Sequence, residues 1–270
     1  MNESANLRKR RLRFRRQKKA SPTGTMSMVE HLRELRTRLI VSVAVFFVVS
    51  IVLFFFFSPI FTFLRRPLCG LPQHLLGATK CHLIVTGILE PFQVRLKVTA
   101  LIGMAASSPV WLYELWAFVA PGLKPKERKY AIPFVATSVF LFLLGCTFAY
   151  LTLPSALRFL IGIGGSSLSP FLKADSYFNF VGLVMLAFGA TFELPLLLLF
   201  MGLANIVTVQ QLRHHRKAAI VGIFLLAAVV TPSQDPYTMT AMALPLWGMF
   251  ELTIISLALL TRRRSHSASV

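Results

Sequence analysis

Long apolar runs separated by short polar segments set the pattern of this chain. Runs over residues 39–57, 90–113, 131–153, 176–201 and 237–260 each reach the roughly 18 residues that a helix needs to cross a bilayer. A further run, 218–230, has thirteen residues and rises only about 20 Å against a hydrocarbon core of ~30 Å. The pattern predicts an all-α polytopic membrane protein with six transmembrane helices. The short fifth span would thin the bilayer or tilt the outer face of the protein.

Polar positions subdivide the rest. In Met28-Val-Glu-His-Leu-Arg-Glu-Leu-Arg-Thr-Arg38, helical spacing puts Leu32, Leu35 and Leu39 on one face and Glu30, Arg33, Glu34 and Arg38 on others. This reads as an amphipathic helix at the inner surface feeding the first span. Glu34 there fits an ordinary i,i+4 pair with Arg38, worth ~0.3–0.5 kcal/mol. After span 1, Pro59, Pro67, Pro72 and Gly77 predict breaks in regular structure up to about residue 89. Span 2 carries Glu90, Arg95 and Lys97 at its outer end, which pair along the helix or snorkel.

The stretch that organises the chain follows span 2. It bears Trp111, Tyr113 and Trp116 as interface anchors, turns at Pro121-Gly122 and restarts at Pro125. Glu127 then stands among Lys124, Lys126, Arg128 and Lys129. A carboxylate set in a basic loop at a membrane surface is a candidate binding site. A second lies in span 4, where Glu193 is some seventeen residues in and is followed by the helix-kinking Pro195. A carboxylate in hydrocarbon costs at least ~2.5 kcal/mol on insertion scales, so it should face a protein partner or water. The bland alternative is solvation by snorkelling to the interface. Glu251 falls in the inner half of span 6.

Composition and charge refine this picture. The chain is 55% hydrophobic, with 24 Phe and 10 acidic residues, far more apolar than a soluble domain. Its net charge of +19 invites a nucleic-acid reading, but the distribution argues otherwise. Twelve of the 29 Lys and Arg lie in residues 1–38, and ten more in 114–130, 202–217 and 261–270. The alternating segments carry only Arg65, Arg66, Lys80, Arg158 and Lys173. This is the positive-inside bias, with both termini cytoplasmic. No nucleic-acid partner is expected. Residues 1–25 form a basic cytoplasmic tail expected to be disordered near anionic headgroups; 26–260 form the membrane domain and 261–270 a C-terminal tail. The run 39–57 is too long for a signal-peptide core and no small-x-small cleavage site follows, so it stays as a span.

Cys69 and Cys81 share the first outer loop, whereas Cys146 sits in an apolar run. An oxidising exterior permits a Cys69–Cys81 disulfide, worth ~3 kcal/mol by loop entropy; the alternative is two unpaired thiols, since sequence does not place the Cβ atoms. No phosphate loop, nucleophile elbow or His-x-x-His set is present. Adjacent His214 and His215 would diverge on a helix. Nothing argues for an enzyme, and no cofactor or metal is expected.

Blocks of residues then carry a resemblance. His31-Leu-x-Glu-Leu-Arg-x-Arg38 precedes span 1, and Pro109-x-x-x-Tyr-Glu-x-Trp-x-Phe-x-x-Pro-Gly-Leu-x-x-x-Glu-Arg128 follows span 2. Gly145-x-x-Phe-Ala-Tyr150, Phe188-Gly-x-x-Phe-Glu-x-Pro195, Thr231-Pro-x-x-Asp235 and Pro245-x-x-x-x-Phe-Glu251 come after in order. Across residues 28–255 this resembles the TatC family, the multi-spanning signal-peptide receptors of the twin-arginine protein translocase. The tail 1–25 and the Cys69–Cys81 pair are not part of that family pattern. Glu114 stands where Gln is as common, so no charge-dependent task is given to it.

The resemblance implies a concave bundle with short fifth and sixth spans, in the bacterial cytoplasmic membrane. It implies that Glu34 and Glu127 receive the paired arginines of a signal peptide, with Arg36, Phe118, Leu123 and Arg128 shaping the same surface. The chemistry fits, because guanidinium offers a fixed fork of donors that a carboxylate accepts in bidentate fashion and lysine does not. The cations around Glu127 would repel peptides lacking that fit. Glu193 matches an intramembrane glutamate that contacts the single span of TatA or TatB, or the inserting signal peptide. Implied partners are folded cargo with twin-arginine signals, TatA, TatB, the lipid bilayer and further copies in a multi-subunit complex, with export driven by the proton-motive force. The alternative is a proton-coupled secondary transporter using Glu193.

Overall fold

The computed structural model describes residues 28–72, 81–119, 131–163, 172–230 and 236–267. The chain divides into two units, Met1–Thr37 and Arg38–Val270. The basic tail 1–25 and the turn 231–235 lie outside the described residues. The regular elements described are helices: α1 (Met28–Phe55), α2 (Phe57–Cys69), α3 (Glu90–Ala106), α4 (Ser108–Val119) and α5 (Ala131–Ile163). They continue as α6 (Ala174–Phe192), α7 (Leu194–Leu203), α8 (Val209–His214), α9 (Arg216–Val230) and α10 (Pro236–Ser267).

Among the described residues, four stretches are long and apolar enough to cross a membrane: Val29–Phe55, Ile132–Gly162, Ala174–Leu203 and Thr238–Leu260. The pair α3 and α4, bent by 55°, makes a fifth. Helix α9, with 15 residues, is the short span the pattern predicts. The final span departs from expectation: α10 has 32 residues and its apolar part alone has 23, so only the fifth span is short.

Four prolines, Pro59, Pro67, Pro109 and Pro154, behave differently from the sequence reading, each for a local reason. The second span is not straight but bends at Ser107, two residues before Pro109, which has no N–H to continue the ladder. The indole Nε1 of Trp111 donates to Met104 O at 3.1 Å, satisfying a carbonyl at the bend. Helix α5 does not stop at Pro154; it continues because Ala156 and Leu157 beyond it are buried in the packed interior.

The segment after span 1, expected to be irregular, forms the amphipathic helix α2, with Leu64, Pro67 and Leu68 buried. Pro59 falls in its first turn, where no intrahelical N–H is needed. Pro67 denies a donor to the Phe63 carbonyl four residues back, and the Tyr150 hydroxyl supplies one at 2.8 Å. The Tyr150 ring also stacks on Phe63, with centroids 4.6 Å apart. The next carbonyl, Leu64 O, accepts from Tyr177 at 2.8 Å. Tyr150→Phe keeps the stacking and removes the donor, so it is expected to cost about 1–2 kcal/mol, read as a melting temperature ~3–6 °C lower. An unchanged thermal transition of the purified protein would show that Phe63 O finds another donor.

The interior is built mainly between α5 and α6, where Phe142, Cys146, Ala149, Val181, Phe188 and Phe192 are buried. Gly145 and Gly189 face each other there: a Cβ on Gly145 would stand 2.8 Å from Phe188 O and 3.0 Å from the Gly189 Cα. The two spans touch backbone to backbone, as small residues permit within a membrane.

The charges at the outer end of α3 do not pair with one another along the helix. Glu90 Oε2 accepts from the Thr86 and Gly87 amides at 2.6 and 3.1 Å, tying the chain that enters α3 to the first residue of the helix. Arg95 donates to Phe54 O at 2.9 Å and lies over the Phe54 ring at 4.2 Å. Lys97 pairs with Asp175. Backbone bonds of Ile84 to Leu172 O and Ala174 N, 2.9 and 3.0 Å, tie the entry to α3 to the entry to α6.

Candidate functional site

Glu193 occupies the break between α6 and α7, which the structure sets where Pro195 predicts it. Pro195 lies in the first turn of α7 and so starts a new helix instead of breaking one. The carboxylate is half-buried, and its two oxygens are in different situations. Oε2 accepts from Ser138 Oγ of α5 at 2.6 Å, and Ser138 Oγ accepts in turn from the Trp116 indole of α4 at 2.9 Å. Oε1 is buried with no hydrogen-bond partner among the described residues.

Trp116 is itself held edge-on to Phe134, centroids 4.5 Å apart, and tilted against Phe200 at 5.5 Å. A relay from α4 through α5 to the α6–α7 break therefore fixes the carboxylate. One oxygen is spoken for within the bundle, and the hydrogen-bonding capacity of the other is unused among the described residues. Thr253 of α10 donates to Pro195 O at 3.2 Å, adding a polar contact just beyond.

A second polar link joins α1 to α4. Arg38 Nη1 donates to Glu114 Oε2 at 2.7 Å, with both side chains mostly removed from solvent. Glu114, given no task from sequence, thus has a charge-dependent structural one. On the face that charge assigns to the cytoplasm, Thr208 and Gln211 form a capping box at the start of α8, and Arg216 pairs with Glu251 at 2.8 Å. Neither α8 nor this pair was anticipated.

The residues expected to read a signal peptide are placed as follows. Glu34, half-buried, and Arg36, exposed, lie on α1 within the first unit. Phe118 is half-buried near the end of α4. Leu123, Glu127 and Arg128 lie outside the described residues, as does the turn at Pro121. Cys69, exposed, and Cys81, half-buried, carry free thiols.

The profile of the Sec-independent protein translocase protein (TatC) matches residues 30–245, which takes in Glu34, Phe118, Glu127 and Glu193. The chain belongs to the TatC family. The TatC protein of Aquifex aeolicus is 37% identical over 244 residues, 89% of this chain and 98% of its own length. That of Frankia casuarinae is 42% identical over 236 residues, 85% of this chain. This chain spans 65% of the Frankia relative's length. A crystal structure of the twin-arginine translocase receptor TatC in DDM superposes with a TM-score of 0.69 at 36% identity, covering 83% of this chain and 98% of that one. A second TatC receptor structure gives 0.67 at 37% identity, with 86% and 99% covered.

TatC membership accounts for the polytopic helical membrane architecture. It leaves Trp116 and Ser138 as residues that sequence reasoning missed around Glu193. Trp116 was noted only as an interface anchor, and a lone serine in an apolar run gives no signal of a partner 55 positions away.

Proposed function

We propose that this chain is the receptor subunit of a Sec-independent, twin-arginine protein translocase in a bacterial cytoplasmic membrane. It binds the twin-arginine signal peptides of folded proteins and organises TatA and TatB for export driven by the proton-motive force. The observation that carries this reading is the family match over residues 30–245. The relatives named above are Sec-independent translocase proteins, and the neighbouring crystal structures are of twin-arginine translocase receptors. Nothing in these likenesses favours a proton-coupled transporter.

The division of labour follows from charge and depth. Glu34 and Glu127 take the two guanidinium groups at the inner surface, each by a charge-assisted fork. Arg36, Phe118, Leu123 and Arg128 shape the surrounding surface. Glu193, deeper in the bundle, offers Oε1 to a polar group of a partner span or of the inserting signal peptide. The Trp116–Ser138 relay supports this by keeping the carboxylate from turning away.

The test is photocrosslinking of a twin-arginine signal peptide, and of its Lys-Lys variant, to membranes containing this chain. Labelling by the first and at least about tenfold less by the second is expected, because ammonium cannot reproduce the bidentate fork. Equal labelling by both peptides would refute arginine recognition by this subunit.

A further inference from the structure

The receptor reading leaves Cys69 and Cys81 unused. Cys69 is the last residue of α2, set between Leu68 and Leu71, both members of the main buried core. Cys81 packs against that same core together with Leu83, and Ile84 is pinned by its backbone bonds to Leu172 and Ala174. Both ends of the intervening segment thus meet at the entry to α6, where the Tyr177 hydroxyl donates to Leu64 O of α2 at 2.8 Å and Ile84 is bonded on either side of Lys173. A chain of this length can stretch about 40 Å, so packing, not tether length, brings the sulfurs together.

We propose that Cys69 and Cys81 form an intrachain disulfide that staples the end of α2 to the segment entering α3. Both lie in the stretch that the Lys and Arg distribution puts outside, where disulfides persist. The inference rests on that orientation and not on signal-peptide binding.

The reaction is a two-electron exchange with an external disulfide. The Cys69 thiolate attacks one of its sulfurs, giving a mixed disulfide and releasing one thiol. The Cys81 thiolate then attacks the Cys69 sulfur and releases the second thiol. One S–S bond breaks and one forms, the external disulfide is reduced, and both protons leave on the released thiols. Exposure makes Cys69 the point of entry. Desolvation by its surroundings and the adjoining Cys81 thiol push the Cys69 thiol up to about 11. Its thiolate is therefore scarce at neutral pH, so the first attack is the slow step of the exchange. Cys146 is buried, its thiol 3.5 Å from Met185 O, and serves as an internal reference.

The experiment quenches membranes of aerobically grown cells in acid, denatures them and tags thiols with a polyethylene-glycol maleimide. One tag per chain is expected before reduction, on Cys146, and tags on all 3 cysteines after dithiothreitol. Tags on all three before reduction, or a linkage joining two chains through Cys69, would overturn the proposal. Dithiothreitol should also lower the Tm of the purified protein by about 5–10 °C and leave that of the Cys69→Ser/Cys81→Ser double variant unmoved. An unmoved wild-type Tm once three tags appear would overturn the stapling role. Labelling by the twin-arginine peptide is read in the same membranes. Its loss beside an intact one-tag pattern counts against the receptor reading alone, and three tags beside intact labelling count against the staple alone.

Discussion

Glu127→Ala is expected to weaken twin-arginine peptide binding roughly 30- to 100-fold, with insertion and accumulation unchanged. Glu127 is the acid embedded among Lys124, Lys126, Arg128 and Lys129. On the proposed reading, removing it takes away two charge-assisted hydrogen bonds to a guanidinium. It also leaves the incoming arginine facing cations alone. Truncating one member of a hydrogen-bonded charge pair at an interface costs about 2–5 kcal/mol, and the expected loss corresponds to the lower end of that range. Glu34→Ala should give a similar but smaller loss, because Glu34 has fewer neighbouring cations along the chain, Arg33, Arg36 and Arg38. The measurement is crosslinking yield against peptide concentration at matched protein levels. Full labelling in both alanine variants would move recognition away from these carboxylates and towards the interior near Glu193. Glu127→Asp separates charge from geometry: partial recovery is expected, since the shorter carboxylate still pairs but does not reach as far.

The largest structural effect is expected at Gly145. A Cβ there would meet the Phe188 carbonyl at 2.8 Å and the Gly189 Cα and Phe192 ring at 3.0 Å. Two of those three neighbours are backbone, which does not yield by rotating a side chain. Gly189 is equally closed, its would-be Cβ 2.7 Å from the Phe142 ring. Gly145→Ala should therefore cost about 1–3 kcal/mol, the usual range for overpacking. Gly145→Leu should cost more than ~4 kcal/mol and separate α5 from α6, with loss of most protein from the membrane. Separation would also disrupt the 2.6 Å bond from Ser138 to Glu193, so any surviving protein should fail in partner assembly. Gly222→Ala is the control, because nothing stands within 4 Å of its would-be Cβ. Accumulation and the melting profile of detergent extracts report all of these. A Gly145→Leu protein as abundant and as stable as the Gly222→Ala control would show that the two spans can part without penalty.

The sequence alone determined the class of the protein, the positions of its spans, the short fifth segment and the break at Glu193. These features are local: hydropathy over a helix length, a proline, and the count of Lys and Arg between spans act without knowledge of what packs where. The spaced blocks around His31, Pro109, Phe188 and Pro245 also suffice for the family. Tertiary structure alone decided whether a proline ends a helix or is absorbed by it. Pro154 and Pro67 are absorbed because buried neighbours and the Tyr150 hydroxyl make good what the missing N–H removes. It likewise decided which polar groups far apart in the chain become partners. Arg38 reaches Glu114, Lys97 reaches Asp175 and Ser138 reaches Glu193, across 76, 78 and 55 positions. No local spacing encodes such pairs. They form because a polar group taken from water must find whatever complementary group the packed helices bring beside it, and only the packing says which one that is.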